Sequence, residues 1–437
     1  MAGAEVSVVL RDCATVYTCA GEDGVGAVSG ASVFFAAGRC VFVGPFAQGP
    51  VVPPGASVVD ARGMLVVPGL VDCHTHTAYA GSRSGEFERR LAGESYVSIL
   101  EGGGGINATV RATRSASEAE LCELVRRRVT AMRDLHGVCT VEIKSGYGLS
   151  PESEAKLLRA ARAGCAGVVR VHTTFMGAHT FPAAFRAPAG APSEAAAALR
   201  AAYVRQVLEE QLPLCAPLAD SVDVFCDRGA FALPEARAVL EAGRRLGLKV
   251  RAHAEQIDHT GTAQLVAELG GLSADHLERL DAAGAAAMGA AGVVAVMLPG
   301  AQLFLKDIAP PVALLRAAGV RLAVASDLNP GSSPVHSLWD CATLACVLQG
   351  LTVDEALLGV TRNAAAALAM PDAGWLGPGS AADAVVLEPP PGEPPLIASV
   401  VQHMGHRSVC CVVQAGRVVS CRAPISVSAS AAISSIS

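Results

Sequence analysis

The pattern of hydrophobic and polar positions changes near residue 65. Before it, short apolar stretches alternate with segments that contain Gly, Asp and Pro, which is typical of short strands joined by turns. After it, short apolar stretches alternate with longer segments rich in Ala, Leu, Arg and Glu. This second pattern predicts strand–helix units around a parallel sheet.

The second pattern contains eight candidate strands, each of which ends in polar residues. The strands are predicted at 65–76, 139–144, 169–174, 221–226, 249–253, 272–276, 293–298 and 322–327. Helices are predicted between several of them, at 118–135, 151–163, 234–246 and 309–318. Eight alternations over roughly 300 residues favour an α/β fold of the (β/α)8 TIM-barrel type, which commonly spans about 250 residues or more. A doubly wound sheet is the alternative, but it gives no reason for polar residues at so many strand ends.

The two ends of the chain read as β structure outside the barrel. Residues 1–65 and 373–424 each have too few strands to bury a core alone, so we predict that they pack together as one small β-sandwich beside a barrel of residues 66–372. The last residues, 425–437, are Ser, Ala, Ile and Val only, and are predicted to form a disordered tail.

Composition narrows the class of protein. Hydrophobic residues make up 51% of the chain and charged residues 17%, which allows a large buried core. The net charge of −6, without long charged blocks, argues against nucleic acid or a membrane surface as a partner. The 14 scattered cysteines and the absence of a signal-peptide pattern favour a cytoplasmic protein. The uncharged stretch 282–305 contains Gly and Pro, and is predicted as helix, strand and loop instead of a membrane span.

Two histidines stand at the end of the first barrel strand. Residues two apart on a strand share a face, so His74 and His76 project the same way, whereas Cys73 points to the opposite, core side. Two imidazoles from one strand edge make half of a tetrahedral or five-coordinate metal site. Alone, the pair is more readily interpreted as two unrelated core or surface histidines.

The ends of later strands supply the missing ligands. Chemistry in a TIM barrel lies at the C-terminal strand ends, where His253 ends strand five and Asp327 ends strand eight. Taken singly, His253 reads as a satisfied core histidine and Asp327 as a helix cap. Together with the histidine pair they predict one divalent metal, and this ligand set suits Zn²⁺ or iron.

Several motifs follow one another along residues 65–385 and carry a family resemblance. The shared motifs are PGLVDCHTH at 68–76, GSRSGEF at 81–87, GGGI at 103–106, KSGYGL at 144–149, GAH at 177–179, SADH at 273–276, DLNPGSS at 327–333 and GSAADAVVL at 379–387. With these motifs the chain resembles the metal-dependent amidohydrolases, and within them the imidazolonepropionases of histidine degradation.

The resemblance implies a reaction and roles for the metal-site residues. The expected reaction is hydrolysis of 4-imidazolone-5-propanoate to N-formimidoyl-L-glutamate, in which water opens a cyclic amide. His74, His76, His253 and Asp327 would hold one divalent metal, Zn²⁺ or Fe²⁺/Fe³⁺, which lowers the pKa of bound water to about 7. His276 would polarise the carbonyl or move the proton. Asp327 would pass a proton from the water to the leaving nitrogen.

The resemblance also implies how the small-molecule substrate binds. Arg83 and Tyr147 would bind the propionate carboxylate, which requires a fixed cation and hydrogen-bond donors. The rest of the predicted lining is His179, Gln256, Asn329, Gly331 and Ser332. Arg83 by itself reads as a solvated loop charge. Gln256 stands where some members of the family carry Glu, and an amide can orient substrate but not transfer its proton.

Two features have alternative interpretations at the site. Residues 102–105 could suggest a phosphate cradle, but they lack the strand before and the Lys-Ser/Thr after, so a flexible active-site loop is favoured. Lys144 at a strand end could indicate a carboxylated lysine that bridges two metals. Its place on strand two and its Lys-Ser-Gly-Tyr context favour one metal.

Two alternative functions differ in class. A cytosine- or guanine-deaminase-like enzyme would share the metal ligands and expel ammonia, but Arg83 with Tyr147 favours a carboxylate substrate. A barrel without catalysis, serving in binding or assembly, would be expected to lack a metal ligand, whereas all four matching positions are present. A homodimer is expected by analogy only.

Overall fold

A computed structural model describes residues 5–21, 24–94, 104–188, 190–423 and 425–429. Residues 102 and 103 of the predicted active-site loop lie outside the described residues, as do residues 430–437 of the predicted tail. Gly105 immediately precedes a helix, Ile106–Ser115.

Eight parallel strands form the barrel, and they lie side by side in chain order, each paired with the next. They are β8 (Leu70–Asp72), β9 (Val138–Lys144), β10 (Arg170–Ala178), β11 (Ser221–Cys226), β12 (Lys249–Ala254), β13 (Ser273–His276), β14 (Val294–Met297) and β15 (Leu322–Val324). A parallel bridge between Thr75 and Leu328 joins the first and last strands. The predicted (β/α)8 fold is therefore confirmed, because sequential parallel pairing that closes on itself is what distinguishes a barrel from an open sheet.

Helices connect and cover these strands. They are α1 (Ser84–Leu91), α2 (Ile106–Ser115), α3 (Glu118–His136), α4 (Pro151–Cys165), α5 (Ser193–Gln206), α6 (Leu212–Cys215), α7 (Leu233–Arg245), α8 (Thr262–Glu268), α9 (Ala282–Ala291), α10 (Pro299–Leu305), α11 (Val312–Ala317), α12 (Leu338–Gln349), α13 (Val353–Gly359), α14 (Arg362–Ala366) and α15 (Ile397–Gln402). Local sequence determines where α3 begins and ends. Ser117 and Glu120 form a reciprocal capping box at its start, and Gly137 ends the helix in the left-handed conformation.

The uncharged stretch 282–305 forms α9, β14 and α10. Within the described ranges, no helix combines the length and apolar character that a membrane crossing requires.

The strand predicted over 65–76 is two strands in different sheets, so this prediction is wrong in detail. Leu65–Pro68 (β7) pairs with Thr15–Tyr17 (β2) and Ala384–Leu387 (β16), outside the barrel, and β8 begins the barrel after Gly69. A Cβ on Gly69 would lie 2.7 Å from the sulfur of Cys139 and 2.8 Å from Cβ of Asp383. The chain can pass between barrel and sandwich here only because residue 69 has no side chain.

The remaining strands form two further sheets. They are β1 (Val6–Arg11), β2 (Thr15–Tyr17), β3 (Ala27–Ser29), β4 (Ser32–Ala36), β5 (Arg39–Gly44), β6 (Ser57–Asp60), β7 (Leu65–Pro68), β16 (Ala384–Leu387), β17 (Val409–Gln414), β18 (Arg417–Cys421) and β19 (Val427–Ala429). One sheet has the order β19-β6-β1-β4-β5 and the other β18-β17-β16-β7-β2-β3. Val8 and Val33 of the first share a buried cluster with Val66 and Val386 of the second, so strands from both chain ends bury one core.

The start of the predicted disordered tail is ordered in the structure. Val427–Ala429 forms β19, which pairs antiparallel with β6 at the edge of the five-stranded sheet. The prediction of disorder from residue 425 is wrong for these residues, because the open edge of β6 offers the backbone partner that the composition did not reveal.

Candidate active site

Three buried histidines converge at the C-terminal end of the barrel strands. His74 and His76 follow β8, and His253 lies near the end of β12. One nitrogen from each ring lies within 4.8 Å of the others, and Nε2 of His253 is 3.4 Å from Nε2 of His76. The shared strand face predicted for His74 and His76 is thus what brings both rings to His253.

Asp327 completes the cluster from the last barrel strand. Its Oδ1 lies 3.5 Å from Nε2 of both His74 and His76. Its backbone has a φ of 49°, a conformation that costs a non-glycine residue energy and is often found at functional sites. The amide of Asp327 donates to the carbonyl of His74, which helps to hold this conformation.

The donor atoms fit a divalent cation. Ligands about 2.1 Å from a tetrahedral Zn²⁺ lie about 3.4 Å from one another, close to the measured separations. Nδ1 of His74 lies 2.6 Å from Oδ2 of Asp275, and Nδ1 of His253 lies 3.0 Å from Oδ1 of Asp223. Since a carboxylate only accepts, each Nδ1 carries the proton and each Nε2 presents a lone pair to the cluster. Among the described residues, the buried Nε2 of His74 has no hydrogen-bond partner.

Burial sets the protonation states in the cluster. It lowers the pKa of His74 and of His76 well below the usual value, and the positive charge of Lys144 lowers that of His74 further. Neutral imidazole is the form that binds a metal. Burial also raises the pKa of Asp327 to about 7, even though His276 acts in the opposite direction.

His276 lies beside the cluster at the end of β13. Its ring centre is 5.3 Å from that of His253 and 5.9 Å from that of His74. Burial lowers the pKa of His276, but Glu278, Asp327 and Asp275 together outweigh this effect, so that the pKa is raised above its usual value. Nδ1 of His276 is 3.8 Å from Oε1 of Glu278. His276 is therefore placed to carry a proton next to the cluster.

A cavity of about 1050 Å³ opens above these residues. It is lined by eleven of the twelve predicted site residues, and His74 is the one that does not line it. The eleven are His76, Arg83, Tyr147, His179, His253, Gln256, His276, Asp327, Asn329, Gly331 and Ser332. The structure thus gathers into one cavity side chains that are spread over more than 250 positions of the chain.

One wall of the cavity is aromatic. The ring of His179 stacks on His76 with centres 5.1 Å apart, and Tyr147 lies 5.5 Å from His179. Nδ1 of His179 lies 3.0 Å from the carbonyl of Gly146, to which it donates, so its Nε2 is left as an acceptor. Burial lowers the pKa of His179 to about 3. This wall therefore offers flat, neutral surfaces to a planar ring.

The loop after β15 holds itself together through Asn329. The side-chain amide of Asn329 donates to the carbonyl of Asp327 and to Oγ of Ser332, and its oxygen accepts from the amides of Gly331 and Ser332. Asn329 and Ser332 both line the cavity, and they bond to each other. The structure thus shows a loop-shaping role for Asn329 that sequence reasoning missed.

Residues 65–419 match the model of the amidohydrolase family. The chain is 49% identical over 362 residues to the imidazolonepropionase of Acidiphilium cryptum strain JF-5. This alignment covers 82% of this chain and 86% of that protein. It is 47% identical over 390 residues to the imidazolonepropionase of Paracidovorax citrulli strain AAC00-1, with coverages of 87% and 89%. The chain belongs to the imidazolonepropionase family of amidohydrolases.

Solved structures share the fold of this imidazolonepropionase-family chain at low identity. An adenosine deaminase from Xanthomonas campestris with bound zinc has a TM-score of 0.66 and 17% identity, over 96% of this chain and 94% of that one. An atrazine chlorohydrolase from Arthrobacter aurescens TC1 complexed with zinc has a TM-score of 0.62 and 17% identity, over 95% of both chains. These likenesses support the barrel and the flanking sheets.

Sequence reasoning considered Lys144 alone and missed the group of buried charged residues to which it belongs, beneath the site. Its members all lie on barrel strands and are Glu142, Lys144, Asp223, Arg251 and Asp275. A charged residue inside an apolar strand was the available signal, but the pattern alone does not say which partners it meets.

A buried carboxylate on α4 was missed as well. Glu154 accepts hydrogen bonds from the amides of Gly146, Gly148 and Leu149, and so it holds the loop that carries Tyr147.

Proposed function

We propose that this imidazolonepropionase-family chain hydrolyses 4-imidazolone-5-propanoate to N-formimidoyl-L-glutamate. The observation that carries the proposal is the cavity itself. A cluster of three histidines and one aspartate lies at this cavity, and Arg83 lines its wall. The two named relatives are imidazolonepropionases with nearly half of their aligned residues identical to this chain.

The residues proposed to hold one divalent cation are His74, His76, His253 and Asp327. A cation bound there acts as a Lewis acid and lowers the pKa of water to about 7. Three imidazoles and a carboxylate suit Zn²⁺, and they also accept Fe²⁺. We infer that either metal supports the reaction, in a cytoplasmic enzyme.

Asp327 and His276 are proposed to move the proton and stabilise charge. Asp327 faces the position of the attacking water and accepts its proton, then delivers that proton to the ring nitrogen that leaves the amide carbon. His276, protonated through its carboxylate neighbours, donates a hydrogen bond to the carbonyl oxygen as negative charge develops there. The amide C–N bond breaks, and the nitrogen stays attached to the product.

Arg83 and Tyr147 are proposed to bind the propionate carboxylate. The side chain of Arg83 is mostly buried, with Nε 2.9 Å from Oε2 of Glu86. Within the part of the chain that the structure describes, that contact engages Nε and leaves the terminal nitrogens of the guanidinium for a carboxylate. His179 and Gln256 line the remaining wall, where they orient the ring.

The test is turnover of freshly generated 4-imidazolone-5-propanoate, followed by the loss of its ultraviolet absorbance. We expect hydrolysis by the metal-loaded protein, loss of activity with a chelator, and recovery when Zn²⁺ or Fe²⁺ is returned. His403→Ala, which changes a histidine outside the cavity, should be fully active. Fully metallated protein that leaves this compound intact, or that releases ammonia from cytosine or guanine more rapidly, would contradict the proposal.

A further inference from the structure

Lys144 is a fully buried cation below the histidine cluster. It ends β9, and its Nζ donates to Oδ2 of Asp223 at 2.8 Å and to Oε1 of Glu142 at 3.0 Å. Nζ also lies 3.9 Å from Oδ2 of Asp275. A single ammonium group therefore faces three buried carboxylates.

Two of these carboxylates also contact histidines of the cluster. Asp223 accepts from Nδ1 of His253 at 3.0 Å through Oδ1, the oxygen that Lys144 does not use. Asp275 accepts from Nδ1 of His74 at 2.6 Å. Lys144 thus lies one carboxylate away from two histidines that come from different strands.

The third carboxylate, Glu142, differs from the other two. Its Oε2 accepts from the backbone amide of Thr75 at 3.1 Å. Among the described residues, the carboxylate of Glu142 accepts hydrogen bonds from Lys144 and Thr75 and not from a histidine ring. Glu142 shares the charge environment of Lys144, but it does not orient a ligand.

We propose that Lys144 is a positioning residue that sets the metal affinity of the site, chiefly by anchoring Asp223 and also through its approach to Asp275, to which Arg251 donates at 3.1 Å. This inference rests on the proposed metal site. The ammonium holds the carboxylate of Asp223 in place by a hydrogen bond and lies beside that of Asp275, so that each carboxylate accepts from Nδ1 of its histidine and directs Nε2 to the cation. Partners of metal-binding histidines typically contribute 10- to 100-fold to metal affinity.

If Lys144 served only the stability of the fold, its replacement would lower the free energy of unfolding without a specific effect on metal affinity. Removing one charge from a buried ionic network destabilises the fold, because an uncompensated charge remains. The pair Lys144→Met with Glu142→Gln removes one positive and one negative charge, so the net charge of the network is unchanged. Asp223 and Asp275 nevertheless lose their ammonium partner in this double variant.

The experiment measures Zn²⁺ affinity of the metal-free, full-length protein by competition with a chromophoric chelator, beside unfolding in urea. Glu142→Gln is the matched single variant, and Lys156→Met is the matched lysine control, since Lys156 caps backbone carbonyls at the end of α2. We expect both controls to bind Zn²⁺ within about threefold of the parent. The double variant should bind it about 10- to 100-fold more weakly.

Two results would overturn the assignment. One is a double variant that binds Zn²⁺ as tightly as Glu142→Gln, and the other is a double variant that fails to fold, since Lys144 would then serve the fold itself. A parent protein that does not bind Zn²⁺ or Fe²⁺ would instead refute the proposed function, so the two failures are distinguishable.

Discussion

The guanidinium of Arg83 packs directly against the backbone of Gly331. A Cβ at position 331 would lie 1.9 Å from Nη1 of Arg83, closer than any non-bonded contact allows. Gly331 belongs to the loop after the last barrel strand, whereas Arg83 follows the first. The glycine is therefore required for close approach between two loops, and it sets where the cation stands in the cavity.

Gly331→Ala should displace Arg83 and weaken substrate binding. Because a hydrogen bond to a charged group is worth about 1.5–3 kcal/mol, we expect KM to rise about tenfold or more, with a smaller fall in kcat. Steady-state kinetics would show this. Gly85→Ala is the control, since a Cβ at position 85 of α1 would meet no atom of the described residues within 4 Å. Equal kinetics for the two variants would show that the position of Arg83 does not matter.

Arg83→Ala should raise KM more than it lowers kcat. The propionate carboxylate is present in both the ground state and the transition state, so losing its partner removes uniform binding. Arg83→Lys should recover only part of the loss, because an ammonium group cannot form the paired contacts of a guanidinium. An unchanged KM for Arg83→Ala would place the carboxylate elsewhere and weaken the substrate assignment.

His276→Ala should affect the chemical step and not the metal. His276 is proposed to act where charge develops during the reaction, so we expect kcat to fall about 10²-fold or more. Metal analysis of the same variant should give the parent's metal content. A variant that loses its metal would show that His276 is a ligand, and one with parental kcat would remove it from the mechanism.

The barrel and most of the site were predictable because they depend on local patterns. Strand alternation placed His74 and His76 on one face, and the rule that barrel chemistry lies at strand ends brought in His253 and Asp327. The contacts of Lys144 were not predictable in the same way. They require the register of several neighbouring strands, which no single segment specifies.

Other differences between the predicted and the observed structure also come from tertiary contacts. The division of the first strand at Gly69 follows from the narrow passage beside Cys139, and the ordered Val427–Ala429 follows from an open sheet edge. The role of Asn329 depends on how its loop folds back, although its Asp-x-Asn spacing is visible in the sequence. The domain boundaries and the homodimer stay predictions.

The protein should hold one divalent metal per chain. The described residues bring three histidines and Asp327 to one point, and the ammonium of Lys144 is engaged by Glu142 and Asp223. Metal analysis after gentle purification should give close to one equivalent of Zn or Fe. Because a ligand that binds the folded state stabilises it, chelation should also lower the melting temperature. Two equivalents, or none, would contradict the single-metal site.

Asp372 ties the sandwich to the barrel by two ion pairs. Its Oδ2 lies 2.6 Å from Nη1 of Arg39 on β5, and its Oδ1 lies 2.9 Å from Nη1 of Arg170 on β10. Burial raises the pKa of Asp372, but the two arginines outweigh this effect and hold the pKa below its usual range. The side chains are about a third exposed, so solvent weakens the pairs, and we expect about 1 kcal/mol from them.

Asp372→Asn should therefore destabilise the protein in a pH-dependent way. A carboxyl whose pKa is lower when folded stabilises the protein above its unfolded pKa of about 3.9, and that stabilisation is lost as the pH falls through the folded pKa. Urea unfolding at pH 7 should show a difference of about 1 kcal/mol from the parent, which narrows below about pH 5 and continues to shrink toward pH 3. Asp258→Asn, which removes a more exposed pair with Arg228, should change stability by less. A constant difference across this pH range would mean that Asp372 acts through its shape and hydrogen bonds, and not through its charge.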